Sequence, residues 1–334
     1  MSRKIIDFEA HAQSPEFVKE LLHYSGYPHY ANDSLGRFTW YQTANTFEVR
    51  DKLQPKLEDV TTRLADMDVA GIDVQAVSPS VPNCESFPRE MGIKLSRINN
   101  DYIRELCSKH PDRFVGLGSL PLQDVDASLE ELDRMKSIGL VGIMGVSNVQ
   151  GEYLNSEKYW PVFERAEKFG FPLFVHPNAP VGIERFTEYH LWGPVFGFGV
   201  DVALCTLRMI MGGVFEKHRN FRVVLGHLGE TIPFTLRRID AAYNRTPDAL
   251  PQIKKRPSEY FLDNIYVDTA GIFHEPALVC TYNSLDHERI VFGSDYPFEK
   301  VAPGVEFIEK TEIPEHDKDK IYWQNASKLL GLKV

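Results

Sequence analysis

What this 334-residue chain lacks removes several classes of protein at once. No apolar run reaches the roughly 18 residues that a membrane-spanning helix needs. The first apolar run begins within four residues of Met1, which leaves no room for a signal peptide. A cytoplasmic protein without a membrane partner is the expectation. Basic charge is in deficit, with 37 Lys and Arg against 47 Asp and Glu and a net charge of −10. Phosphate backbones require a basic face, so nucleic acid is not the expected partner. The one tight basic cluster, Lys254-Lys255-Arg256, reads as a solvated loop or helix end. Cys84, Cys107, Cys205 and Cys280 stand at wide, irregular spacings with no Cys-x-x-Cys pair. That argues against a thiolate zinc site or a dithiol motif and leaves reduced packing residues. No Gly-x-Gly-x-x-Gly follows the first apolar run, which weighs against a doubly wound dinucleotide-binding sheet. Internal repeats and low-complexity tracts are missing too.

What is present is regular. Eight short, β-branched apolar runs appear at residues 4–11, 73–80, 113–120, 140–146, 172–176, 221–227, 265–269 and 289–295. Helical patterns follow at 57–70, 88–110, 125–138, 158–169, 198–215, 232–244 and 275–283, and two further helices close the chain. Continuous apolar runs of this length are the mark of buried parallel strands. Eight such βα units over 1–334 predict a single (β/α)8 barrel, an α/β fold, with an open doubly wound sheet as the alternative. Residues from about 12 to 56 lack sustained periodicity and are rich in aromatics. They are expected to form an insertion near the barrel mouth, where long loops commonly act as lids.

Active-site groups of such barrels sit at the C-terminal ends of the strands. Strand one reads Lys4-Ile5-Ile6-Asp7-Phe8-Glu9-Ala10-His11. Its alternation sends Glu9 and His11 the same way. Strand five ends in His176, strand six in His227 and strand eight in Asp295. Singly, each has a bland reading as a hydrogen-bonded structural residue or a cap. Together, five such groups converging on one mouth without a bound charge would be costly, so a metal is the more economical explanation.

Glu9-x-His11, His176, Gly226-His227-Leu228-Gly229-Glu230 and Ser294-Asp295-Tyr296-Pro297-Phe298 resemble the motifs of the amidohydrolase superfamily. More narrowly they resemble its decarboxylase branch, which acts on hydroxybenzoates and related acids. Hydrolase members carry His-x-His on strand one, where this chain has Glu9-Ala10-His11. Binuclear members also need a bridging residue from strand four, and residues 140–146 offer no Lys, His or Glu. One divalent metal is thus implied, with Mn2+ favoured and Zn2+ as the alternative.

By that resemblance, Glu9, His11, His176 and Asp295 hold the metal. Asp295 also serves as the acid that protonates the ring carbon, His227 contacts the substrate or a metal-bound water, and Glu230 orients His227. Arg238 is assigned to Glu230 or to the substrate carboxylate, with a plain helix-surface position equally open. Phe38, Trp40 and Tyr41 are candidates to stack on an aromatic carboxylate, and Arg37 or Arg50 to meet a second carboxylate. Hydrolysis of a lactone, amide or ring-cleavage product by the same parts is the competing activity. The pattern at 198–215 is apolar nearly all round, which calls for cover beyond the barrel. Family members are commonly dimers or tetramers, so a homodimer or homotetramer is expected.

Overall fold

The computed structural model describes residues 3–245 and 253–332. Its centre is one parallel sheet of eight strands: β1 (Ile6–Ala12), β2 (Val74–Pro79), β3 (Phe114–Gly118), β4 (Gly142–Val146), β5 (Leu173–His176), β6 (Val223–Leu225), β7 (Ile265–Asp268) and β8 (Ile290–Val291). The strands pair in chain order. Closure lies between β8 and β1. Phe8 N–H donates to Phe292 O at 2.8 Å, Asp295 N–H to Glu9 O at 2.9 Å and His11 N–H to Tyr296 O at 2.7 Å. The chain after β8 thus runs alongside β1 and carries Asp295 to the mouth. This is the (β/α)8 barrel expected from the eight runs.

The interior is filled by Ile6, Phe8, Ala76, Leu117, Met144, Phe174, Val224, Tyr266 and Val291, with Leu329 and Leu330 of the helix Asn325–Leu330 packed against them. Phe8 and Phe174 meet edge to face, ring centres 5.8 Å apart. The opposite faces of the strands bury a larger core under the surrounding helices. All four cysteines are free thiols, Cys84 and Cys205 fully buried. Lys255 and Arg256 stand at the start of the helix Pro257–Asn264, paired with Asp263 and Glu259. No helix among the described residues is long and apolar enough to cross a membrane.

Two stretches differ from the sequence-based expectation. The pattern at 57–70 breaks into helices Gln54–Glu58 and Val60–Ala70, because the Asp59 carboxylate accepts from Thr61 N–H and starts a new helix. The aromatic stretch after β1 is ordered. It contains a helix, Pro15–His23, capped by Ser14, and an antiparallel sheet of His29–Asn32, Phe38–Thr43 and Thr46–Val49. Its strands are only four to six residues long, too short for alternation to stand out in the sequence.

Two buried carboxyls give stability predictions. Asp201, on the helix Gly197–Met211, accepts from Ser147 Oγ (2.5 Å), Asn148 Nδ2 (2.7 Å), Tyr153 OH (2.8 Å) and Val181 N–H (3.1 Å). It ties the loop after β5 to the end of β4. Asp201→Ala strands these donors, so its denaturation midpoint should fall by the equivalent of about 3 kcal/mol. Glu85, after β2, is fully buried with Oε1 unpartnered. Burial pushes its carboxyl from 4.5 up to about 8. The native state therefore holds a proton that the unfolded chain releases near pH 4.5, and stability drains away as pH rises through that window. Glu85→Gln should match the parent near pH 4.5 and exceed it by on the order of 2 kcal/mol above pH 8, read from chemical denaturation across pH.

Candidate metal centre and active site

An irregularity in β1 decides which of its polar side chains reach the mouth. Asp7 pairs with Gln75 and Ala10 with Val77, so β1 carries one residue more than β2 between these points. Without this bulge, Asp7, Glu9 and His11 would share one face. With it, Asp7 turns away to accept from Gln75 Nε2 (2.9 Å), Ser294 N–H (2.9 Å) and Ser294 Oγ (2.6 Å). Glu9 and His11 face the barrel axis. Bulges beside active sites commonly re-aim a side chain in this way. Asp7 in turn fixes the residue that precedes Asp295.

Glu9, His11 and His176 then converge, offering one ligand atom each within 4.8 Å of one another, all buried. His11 Nδ1 lies 3.2 Å from Pro79 O and 3.1 Å from Ser78 Oγ, and His176 Nδ1 lies 2.8 Å from Pro177 O. Those carbonyls place a proton on Nδ1 of each ring and leave Nε2 facing inward, the arrangement by which outer hydrogen bonds orient metal-binding histidines. His11 Nε2 and both Glu9 carboxylate oxygens are buried without a hydrogen-bond partner. Such orphaned atoms are expensive unless a cation meets them. The donor set, two imidazoles with carboxylate oxygen, suits Mn2+ or Zn2+.

The electrostatics agree. Burial disfavours charge on His176 and the nearby His11 adds to this, so its pKa falls to about 3 and its ring is a neutral donor. Burial also opposes charge on His11, but Asp295 and Glu9 outweigh it and raise the pKa to about 9. Asp295 is the pivot. Its Oδ1 lies 3.4 Å from His11 Nε2 and its Oδ2 4.0 Å from His227 Nε2. Burial works against its charge, yet the two imidazoles hold the carboxyl well below the ordinary range. His227 Nδ1 is 3.0 Å from Glu230 Oε1. Although burial opposes it, the Glu230 and Asp295 carboxylates raise His227 well above the ordinary histidine value.

Backbone strain concentrates here. His227 (φ 54°), Leu228 (55°), Glu230 (58°) and Asp295 (61°) all lie in the left-handed region. Each costs about 1–3 kcal/mol, a cost found mainly at functional sites. Close backbone approach is needed as well. A Cβ on Gly199 would lie 2.4 Å from Glu230 Oε2, and one on Gly226 3.2 Å from Glu9 Oε2.

The remaining candidates separate. Trp40 and Arg50 join a wall that starts at the metal cluster. His11 and Phe298 ring centres are 5.7 Å apart, and the Arg50 guanidinium lies 5.4 Å from Phe298 and 4.4 Å from Trp40. Trp192 meets Trp40 edge-on at 5.6 Å. Arg50 is buried and bonded to Glu48, Tyr30 OH and Val81 O. Phe38 packs on Tyr30, Tyr41 stacks on His29 and packs at a tilt on Phe47, and exposed Arg37 pairs with Asp33, so these three do not join the cluster. Arg238 lies on the exposed face of the helix Ile232–Arg245. Asp268 was not among the sequence candidates, although it ends β7 as His176 ends β5. It is fully buried with Oδ2 unpartnered, and burial together with Glu9 raises its carboxyl. Phe298 lies in the Ser294–Phe298 motif but was given no role there, and Trp192 carries no spacing signal that would have singled it out.

A buried cluster of histidines and carboxylates at the mouth of a (β/α)8 barrel defines a metal-dependent enzyme class. The chain belongs to the amidohydrolase family, whose model matches residues 6–332. Within it, the chain falls in the metal-dependent decarboxylase branch. It is 37% identical over 299 residues to γ-resorcylate decarboxylase of Rhodococcus jostii, covering 84% of this chain and 91% of that one. The crystal structure of 5-carboxyvanillate decarboxylase from Sphingomonas paucimobilis superposes with a TM-score of 0.90 at 31% identity, covering 99% of this chain and 100% of that chain. Dihydroxybenzoic acid decarboxylase from a Polaromonas species, solved with bound manganese and 2-nitroresorcinol, gives a TM-score of 0.85 at 28% identity, covering 99% and 97%.

Proposed function

We propose that this chain is a metal-dependent, non-oxidative decarboxylase of a hydroxylated aromatic carboxylic acid. The observation that carries the reading is the position of Asp295, with Oδ1 toward His11 of the metal cluster and Oδ2 toward the proton-bearing His227. Glu9, His11, His176 and Asp295 Oδ1 would hold one divalent ion, with Mn2+ favoured because a related decarboxylase was crystallised with it. Such an ion supplies a Lewis acid that fixes a carboxylate and an adjacent phenolate oxygen.

The chain's own groups do the rest. Phe298 stands beside His11 with Arg50 and the buried Trp40 and Trp192 packed behind it, an aromatic wall that suits the face of an aromatic ring. Glu230 keeps a proton on His227, and Asp295 is ionised before substrate arrives. A carboxylate substrate brings negative charge alongside Asp295, which raises its affinity for a proton. His227 supplies that proton at Oδ2, and Asp295 delivers it to the ring carbon bearing the carboxylate. The bond from ring carbon to carboxylate carbon then breaks, CO2 leaves, and its bonding electrons restore the aromatic ring. The hydroxyl ortho or para to that carbon donates the electrons that make it basic. The product is the phenol, and His227 regains its proton from solvent.

The test is a panel of hydroxybenzoates and lactones offered to the metal-loaded enzyme. CO2 release from an ortho-hydroxy acid supports the proposal, whereas acid release from a lactone with no CO2 from any acid overturns it. The exposed Val195, Phe196 and Leu204, at 67, 56 and 43% accessibility, support the homodimer or homotetramer expected above. Light scattering at micromolar concentration should give at least twice the chain mass of 38.2 kDa.

A further inference from the structure

The turn that carries His227 and Glu230 has positive φ throughout, and it leaves the left-handed helical region at Glu230, where ψ is −123°. His227, Leu228, Gly229 and Glu230 have φ of 54°, 55°, 76° and 58°. Its internal bonds, Gly229 N–H to Gly226 O at 2.9 Å and Glu230 N–H to His227 O at 3.0 Å, are those of a single reversed turn. Chains of L-residues do not hold such a turn unaided. Something outside the turn must fix it, and the first N–H shows what does. His227 N–H donates to Asp268 Oδ1 at 3.2 Å, and the same oxygen accepts from Ala270 N–H at 3.0 Å. A carboxylate on β7 thus caps the open end of the turn, as an N-cap side chain caps a right-handed helix. At the other end, Thr281 Oγ donates to Leu228 O at 3.1 Å.

Glycines give Asp268 and the His227 ring the room that this arrangement needs. Asp268 is fully buried, and a Cβ on Gly293 would stand 2.9 Å from its Cγ. A Cβ on Gly271, just beyond Ala270, would stand 3.0 Å from His227 Cδ2. We propose that Asp268 is a positioning residue: by accepting the His227 and Ala270 N–H groups it holds the reversed turn that aims the His227 ring at Asp295. It acts as an acceptor on the backbone and does not touch the substrate. The inference rests on the decarboxylase reading only for what His227 does, not for how His227 is held.

Two measurements test it, one of them independent of activity. Asp268→Ala removes the acceptor, while Asp268→Asn keeps a carbonyl oxygen in its place. In hydrogen–deuterium exchange of the metal-loaded enzyme, the segment spanning Gly226 to Glu230 should exchange at least about tenfold faster in Asp268→Ala and close to the parent rate in Asp268→Asn. In steady-state kinetics on a hydroxybenzoate, Asp268→Ala should lower kcat by about 10–100-fold with KM within about threefold, and Asp268→Asn should recover to within about fivefold of the parent. Unchanged exchange in Asp268→Ala, or equal damage by Ala and Asn in both measurements, overturns the proposal. If Asp268→Ala does not fold, Asp268→Ser decides, because it keeps a small polar side chain but withdraws the carboxylate oxygen from the His227 N–H. Faster exchange confined to the turn supports the bracing, and parental exchange overturns it. Should the parent decarboxylate nothing, the exchange result still stands on its own and the failure belongs to the decarboxylase reading.

Discussion

Asp295→Asn should lower kcat for decarboxylation by about 10³-fold or more, the upper part of the range for losing a positioned proton donor. The amide keeps the shape and an oxygen for the metal side, but it cannot carry a proton from His227 to carbon. Metal content should fall only partly, because Glu9, His11 and His176 remain converged within 4.8 Å. The fold should be retained, and stability should change modestly, since Asp295 now sits between two imidazoles at 3.4 and 4.0 Å and loses their attraction when neutral. Measuring kcat alongside bound metal separates the roles. Near-parental kcat would remove Asp295 from proton transfer, and loss of activity in proportion to loss of metal would reduce it to a ligand.

His11→Ala and Glu9→Gln should each abolish tight metal binding and with it all measurable turnover, the larger of the two expected effects. His11 is the more informative. Without metal its pKa is raised to about 9, against the cost of burial, by Asp295 and Glu9. A proton therefore competes with the ion for Nε2 below that pH. Metal affinity of the parent should rise about tenfold per pH unit up to roughly pH 9 and then level, with one proton released on binding. Calorimetry in buffers of different ionisation enthalpy reads that proton directly. A pH-independent affinity would mean that His11 Nε2 is not in the metal shell.

The barrel was legible because buried parallel strands leave a strong trace in sequence. All eight runs became strands, with ends shifted by a few residues. β8 is the instructive exception. Only Ile290 and Val291 pair as a regular strand, and Asp295 reaches the mouth because Phe292 to Tyr296 follow β1 through individual hydrogen bonds. The shared direction of Glu9 and His11 also held, although alternation alone would have carried Asp7 with them. The bulge that parts Asp7 from Glu9 has no signature in composition, since it depends on the register between two strands. Within the aromatic segment, Trp40 and Tyr41 are adjacent in a short strand and therefore face opposite ways. Which of them faces the cluster is decided by packing against Trp192, some 150 residues away. Asp268 was accessible to the same rule that found His176, as a polar residue closing an apolar strand. Its role as a backbone cap, however, rests on the left-handed turn after β6, which no residue pattern announces.

Decarboxylation by this route puts a solvent-exchangeable proton, passed through His227 and Asp295, in place of the carboxylate on the ring carbon. The route is tested most directly by running the manganese-loaded enzyme on a dihydroxybenzoate in D2O and examining the phenol by NMR. One deuterium at the carbon that bore the carboxylate and one CO2 per phenol formed are expected. Phenol without deuterium at that carbon, or an acid product without CO2, would contradict the route.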